Sequence, residues 1–417
     1  MARHTLKPLS GFWMLVLIAV PSQLIFALET TAQTVSVTSA PVAPEYRGFG
    51  GSLPPYDYDI ENGLLATVTA LNFEKPEIKN EKSMSLKKVD GFSKDMEVQV
   101  MWQNGQAPLA VLLLGFTSRS KSPMAQIWKS QLYAAGCHVV TFDSPFLPNF
   151  NKRSRHGVAG NLEAEAQLTA NVIAAFLKTS EAKSKVTKFG IVGGSYGALL
   201  ALNIADLAKA GKSPVTPERV LALSPPIKIK TAADKLDKFH LEDRWNFELA
   251  QLAGDLQGLT PAKGLKANFP DSELRAGIAA AFRMDLSEIT LYTDDAYKLK
   301  VLPYQNDLDD NRKASYADAW TFNRYLDEMC FPYWRGKGKA NSLQDLLDMG
   351  DTRMLLQKAS DNVLTVVAAD DPMNDPAELS ALKSSISASK LIVLPRGGHM
   401  GYISSKWCEA LIQSLFK

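Results

Sequence analysis

Hydrophobic positions along this chain follow two rhythms. Leu109–Leu114 is apolar throughout and is bounded by Pro108 and Gly115. A strand buried on both faces of a parallel sheet reads this way. His138–Phe142, the run ending at Val192, Arg219–Leu223, Val363–Ala369 and Leu391–Pro395 are short apolar stretches of the same kind. Helical spacing fills the gaps between them. Leu162, Ala166, Ala170, Ile173, Ala174 and Leu177 fall on one face of a helix over Leu162–Lys178. Pro123–Ala135, the Ala/Leu run after Gly197, Ala377–Ala388 and the segment from Lys406 onward also read as helices. Upstream, Leu64–Phe73, Ser83–Val89 and Glu97–Gln103 read as strands, the last with Val98, Val100 and Trp102 in alternation. Strand alternating with helix predicts an α/β fold: a doubly wound, mostly parallel sheet with right-handed crossovers.

The rhythm breaks once. From Ile227 to Ala359 the strand pattern vanishes, and helices are expected over Phe247–Leu256, Ser272–Phe282, Tyr316–Met329 and Leu343–Met349. Residues 61–226 and 360–417 then form the core, and residues 227–359 form a helical cap inserted between two of its strands. Such an insertion would lie over the carboxyl ends of the strands, where open α/β sheets bind ligands. Its many aromatics, Phe282, Trp320, Phe322 and Tyr325 among them, suit the core of a small subdomain; together they could also line an acyl pocket. Residues 33–60 are rich in Thr, Ser, Pro and Gly and read as a linker or an extended surface arm.

Residues 1–32 begin with Arg3, His4 and Lys7, followed by the apolar run Phe12–Val20. That is the pattern of a secretory signal peptide, with cleavage expected after Ala27 or Ala32. Pro21 and Gln23 make the run a poor spanning helix. The expected location is exported, periplasmic or secreted; left uncleaved, the segment would anchor the protein to a membrane.

Composition narrows the classes. Apolar residues at 46% and charged residues at 22% are ordinary for a globular protein. A net charge of +2 with scattered basic residues argues against a nucleic-acid partner. Cys137, Cys330 and Cys408 are too widely spaced for a metal pair. Cys137 and Cys408 are expected as small buried apolar residues; one disulfide stays open, with no pair assignable. Asp307–Asn311 imitates a calcium loop, but Arg312 stands where glycine is required and Asp318 where a bidentate glutamate is, so it reads as a solvated acidic turn.

The candidate chemistry sits at Gly193-Gly194-Ser195-Tyr196-Gly197, a G-x-S-x-G turn with an apolar strand before it and an Ala/Leu helix after it. With 26 glycines in 417 residues, chance would supply on the order of 0.1 such matches. A sharp strand-to-helix turn lifts the serine hydroxyl clear of the backbone, and the helix N-terminus aims partial positive charge at it. A serine nucleophile needs a base, and the base needs a carboxylate. Of the five histidines, His4 lies in the export segment, His138 opens a strand, His156 lies in a loop and His240 in the insertion. His399, in Pro395-Arg-Gly-Gly-His-Met-Gly401, follows a buried strand and is the expected base. The acid should follow Val363–Ala369, and Asp371 is the choice, with Asp370 and Asp375 as rivals. The order Ser, acid, His is that of α/β-hydrolases. The backbone N–H groups of Tyr196 and of Phe116, with Thr117 beside it, should form the oxyanion hole.

On these motifs the chain resembles α/β-hydrolase-fold proteins, and within them the YheT-like esterase group. The matching pieces are Gly115-Phe-Thr-Ser-Arg-Ser-Lys-Ser-Pro123, Gly-Gly-Ser195-Tyr-Gly, Ala-Asp-Asp371-Pro and Gly-Gly-His399-Met-Gly-Tyr. The resemblance implies acyl hydrolysis or transfer from fatty esters through an acyl-enzyme on Ser195. An exported serine hydrolase of carboxylic esters is therefore expected, with a small-molecule or lipid acyl ester as substrate and no cofactor. A serine peptidase or amidase, or a non-catalytic envelope binding protein on the same scaffold, are the alternatives.

Overall fold

The computed structural model describes residues 53–72, 76–116, 118–154, 157–243, 268–302, 317 and 319–414. The expected export segment, most of the expected linker, the expected helix Phe247–Leu256, the acidic turn Asp307–Asn311, and His4, Thr117 and His156 lie outside them.

Eight strands form one sheet in the order β1-β2-β4-β3-β5-β6-β7-β8. They are β1 (Glu81–Leu86), β2 (Met96–Met101), β3 (Ala107–Leu113), β4 (His138–Thr141), β5 (Val186–Gly194), β6 (Arg219–Leu223), β7 (Val363–Ala368) and β8 (Leu391–Leu394). β1 and β2 are antiparallel, and β2 meets β4 antiparallel. Every other pair is parallel. Leu109, Ala110, Val111 and Leu112 of β3 have no exposed surface, as a strand covered on both faces requires. The covering helices include α2 (Pro123–Ala134), α3 (Leu162–Leu177), α4 (Tyr196–Lys209), α7 (Pro376–Ser385) and α8 (Lys406–Ser414). The chain is an α/β protein with a doubly wound, mostly parallel sheet.

Between β6 and β7 the described residues are helical. α5 (Ile229–Asp243) and α6 (Asp271–Tyr297) pack together, followed by shorter turns that include Phe322–Tyr325, Leu343–Asp348 and Thr352–Lys358. α6 has 27 residues and outruns the expected Ser272–Phe282. Its apolar stripe of Leu274, Ile278, Phe282, Leu286 and Ile289 continues past Phe282 at 3.6-residue spacing. Buried polar residues beside that stripe, Arg283, Asp285 and Thr290, hide it in the sequence. The expected helix over Tyr316–Met329 is a short α-turn at Phe322–Tyr325, a π-turn at Leu326–Cys330 and then helix Phe331–Gly336. Pro332 lacks the N–H that would keep the α-ladder regular there.

One expectation at the front of the chain is corrected. Leu64–Phe73 is not a strand but α1 (Gly63–Leu71), capped by the Asn62 side chain accepting from the Leu65 N–H. Thr67 and Thr69 suggested a strand, yet their hydroxyls donate back to the Gly63 and Ala66 carbonyls, which suits a helix. Residues 53–60 are the described end of the segment expected as a linker or an extended surface arm. They are extended, but Tyr56, Tyr58 and Ile60 are buried. The Tyr56 hydroxyl donates to the Arg396 carbonyl at 2.7 Å, and Arg396 Nε returns a bond to the Tyr58 carbonyl at 2.7 Å. This arm straps the loop that follows β8. Cys137, Cys330 and Cys408 are all buried and free, so the disulfide left open by the sequence is not formed.

Candidate active site

β3 and β5 are neighbours in the sheet, as are β7 and β8, with β6 between the two pairs; all run parallel, so the loops that leave their carboxyl ends lie along one edge. β5 delivers Ser195. Its backbone has φ 54° and ψ −120°, a strained conformation for a residue with a side chain. The Ser195 N–H bonds to the Leu223 carbonyl of β6 at 2.9 Å, which pins the turn to the sheet. A Cβ on Gly193 would run into the Gly197 carbonyl, and one on Gly197 into the backbone of Leu113 and Leu114. Only glycine fits where strand and helix pass so closely.

β8 delivers His399, which is 5% exposed. Its Nε2 lies 2.8 Å from Ser195 Oγ, and its Nδ1 lies 2.9 Å from Asp371 Oδ2. Asp371, at the end of β7, also accepts the Met373 N–H at 2.9 Å through Oδ1. A carboxylate facing Nδ1 holds the proton on that nitrogen and leaves Nε2 free to accept from the serine hydroxyl. The structure thus brings Ser195, Asp371 and His399, 204 and 28 residues apart along the chain, into one hydrogen-bonded row.

The rivals go elsewhere. Asp370 accepts the Gly397 and Gly398 N–H groups at 3.1 and 2.8 Å and so shapes the loop that carries His399. Burial pushes its carboxyl up against the pull of those two amides. Asp375 caps α7 by accepting from the Ala377 N–H. His138 is a satisfied core residue: Nδ1 accepts from the Gln103 N–H and Nε2 meets the Lys185 carbonyl, and burial lowers its pKa. His240 is buried in α5.

The Phe116 and Tyr196 amides flank the serine. A Cβ on Gly115 would stand 3.2 Å from Ser195 Cβ, so the backbone entering Phe116 touches the nucleophile turn. Tyr196 opens α4, and its N–H belongs to the unpaired first turn of that helix. Neither amide has a hydrogen-bond acceptor among the described residues.

Above this row lies an apolar pocket holding about 640 Å³ of empty space, mouth included. Phe116, Phe146, Tyr196 and Met373 come from the sheet side, Ile229 and Leu236 from α5, Phe282 from α6, and Phe322 and Tyr325 from the turn beyond. A second, narrower space also borders Ser195 and His399 and is lined by Thr67, Leu71, Met124 and Trp128. Phe282 borders both, with its ring centroid 6.2 Å from Phe116 and 6.5 Å from the His399 ring.

Three neighbours of the row were missed in the sequence. The Thr67 hydroxyl accepts the His399 N–H at 2.8 Å, a role hidden by reading α1 as a strand. Glu165, with no exposed surface, accepts the Tyr196 hydroxyl at 2.6 Å and the Gly160 N–H at 2.6 Å. A lone glutamate inside the apolar face of Leu162–Leu177 was its available signal. Asp370, weighed only as a rival acid, is the third: its hold on the loop that carries His399 was not read.

Residues 108–406 match the family model described as alpha/beta hydrolase fold. The chain belongs to that family. A stretch of 71 residues is 37% identical to slr0264 of Synechocystis sp., a protein assigned as an esterase; it covers 16% of this chain and 19% of that relative. Among solved structures, the Pyrococcus furiosus esterase PF2001 is similar over 83% of this chain and 96% of its own, at 12% identity and a TM-score of 0.44. The Mycobacterium smegmatis proline iminopeptidase is similar over 80% of this chain and 96% of its own, at 13% identity and a TM-score of 0.39. Within this hydrolase fold, Ser195 follows β5 and His399 follows the final strand of the sheet.

Proposed function

We propose that this alpha/beta hydrolase cleaves carboxylic esters through an acyl-enzyme on Ser195. The observation that carries the reading is the Ser195–His399–Asp371 hydrogen-bonded row at the floor of an apolar pocket. Ser195 Oγ attacks the ester carbonyl while its proton passes to His399 Nε2. Asp371 keeps Nδ1–H oriented and steadies the imidazolium. The Phe116 and Tyr196 amides face the carbonyl oxygen as it gains charge. His399 returns the proton to the departing alcohol. A water that gives its proton to His399 then attacks the acyl carbon, and Ser195 Oγ leaves with that proton.

The apolar lining favours an uncharged hydrocarbon acyl or alcohol group. No acidic side chain among the described residues lines the pocket to receive the amine of an aminoacyl amide, so the ester reading is preferred over the amidase one. The motif resemblance to YheT-like esterases and the assignment of slr0264 point the same way.

Ser195→Ala should lower hydrolysis of p-nitrophenyl esters on the order of 10⁵- to 10⁶-fold and abolish fluorophosphonate labelling. Unchanged labelling in that variant would end the reading. Faster turnover of aminoacyl anilides than of esters by the native protein would move the reaction to amides.

A further inference from the structure

Arg119 lies three residues beyond Phe116 in the loop leaving β3, and its side chain crosses to α6. Its Nη1 donates to Asp285 Oδ1 at 3.1 Å and its Nη2 to Glu288 Oε2 at 2.6 Å. Asp285 stands one turn after Phe282 on the same face of α6. The ion pair therefore ties the segment that holds the Phe116 amide to the helix that holds Phe282 over His399. The same loop is fixed from the sheet side as well. Asp143, after β4, accepts the Ser120 N–H at 2.9 Å. Lys129, 1% exposed, donates to the Ser120 carbonyl at 2.7 Å and pairs with Glu81. Of these ties, only the one through Arg119 reaches the helices between β6 and β7.

We propose that Arg119 is a positioning residue for ester hydrolysis: by fastening the β3 loop to α6, it sets the Phe116 amide and the Phe282 ring around the carbonyl that Ser195 attacks. The proposal rests on the ester reading of Ser195. Asp285 supports it by being ill placed for stability alone. Its carboxylate has Arg119 on one side, with Glu288 from its own helix nearby, and α1, which packs on α6, carries no titratable side chain. Burial outweighs the pull of Arg119 and raises its carboxyl from 3.8 to about 6. An ionised aspartate held at a cost beside an active site points to function rather than to packing.

The test compares the full-length native protein with Arg119→Met, Arg119→Lys and Asp285→Asn. It reads kcat and KM on p-nitrophenyl butyrate, the stoichiometry of fluorophosphonate labelling and the thermal midpoint. An amide that engages the carbonyl oxygen only as charge develops acts on kcat. Arg119→Met is expected to lower kcat by about tenfold or more, below the cost of deleting an oxyanion donor outright, with KM within about twofold. Arg119→Lys should recover part of the loss as a point charge. Asp285→Asn should keep or raise the thermal midpoint while kcat falls, an opposition that a purely structural contact would not produce. A native kcat in folded Arg119→Met overturns the proposal. So does a parallel fall of midpoint and kcat in Asp285→Asn, or an Arg119→Lys variant no better than Arg119→Met. If the native protein takes up no probe at Ser195, the ester reading itself fails, which this design separates from failure of the positioning role.

Discussion

Asp370 and Asp371 are adjacent carboxylates with opposite duties, and the difference is one of direction. Both lie in the turn that follows β7, beyond Ala368, and their side chains leave toward different partners. One reaches the His399 ring, and the other reaches the amides of the loop behind it. Asp371→Asn should keep the fold but lower kcat about 10⁴-fold, since an amide no longer enforces the Nδ1–H tautomer. Asp370→Ala should instead destabilise by about 1–3 kcal/mol, because buried N–H groups lose their acceptor. Denaturant titration and kcat on both variants check this. Two variants with the same stability and the same kcat would show that the division of labour is wrong. Ser195 and His399 were legible because glycines mark backbone that must bend sharply, and Asp371 because a strand end marks a loop. The work of Asp370 was not legible: its partners lie 27 and 28 residues away, on another strand's loop. Glu165 was hidden for a like reason, since nothing near it in sequence shows that its partner is Tyr196.

Among the elements, the strands were read most accurately, because a short wholly apolar run has few other uses in a sheet covered on both faces. α1 was misread. Its Val68, Thr67 and Thr69 favour strands locally, and a helix of 9 residues is decided by what it packs against. What it packs against is the turn carrying His399. The Gly398 backbone has φ 54°, and a Cβ there would meet the Gly63 carbonyl, the Thr67 hydroxyl and Ala66. Gly398→Ala should therefore destabilise by about 1–3 kcal/mol from backbone strain before any collision is counted. It should also slow ester turnover, since relief of the collision displaces His399 from the Thr67 hydroxyl. Chemical denaturation and steady-state kinetics read both effects; native values for both would mean that α1 does not brace the loop. The length of α6 was illegible because buried polar residues interrupt its stripe, and a buried polar residue declares itself only once its partners are known.

At the scale of the whole molecule, sheet and inserted helices meet across a contact whose charge state depends on pH. Asp285 has its folded pKa raised from 3.8 to about 6 by burial, against the pull of Arg119 and with Glu288 adding to the rise. The folded state thus favours the protonated form. The stabilising contribution of this group is fully present below pH 3.8 and lost as pH rises through 6, a difference of about 3 kcal/mol. Asp285→Asn removes that dependence. Its stability advantage over the native protein should be largest at pH 7.5 and shrink toward pH 4. Denaturant midpoints across that range would show it, and a gap independent of pH would place the burial cost elsewhere. No such feature could be read from composition or periodicity, because it arises where a loop of the first half meets a helix of the second.

The bond between Thr67 and the His399 amide spans 332 residues of chain. During synthesis the threonine emerges 332 residues before the partner it serves. Closing so large a span is entropically the most expensive kind of contact and tends to form late. On the reading proposed above, a nascent chain that has not yet reached residue 399 would hold Ser195 without its imidazole partner.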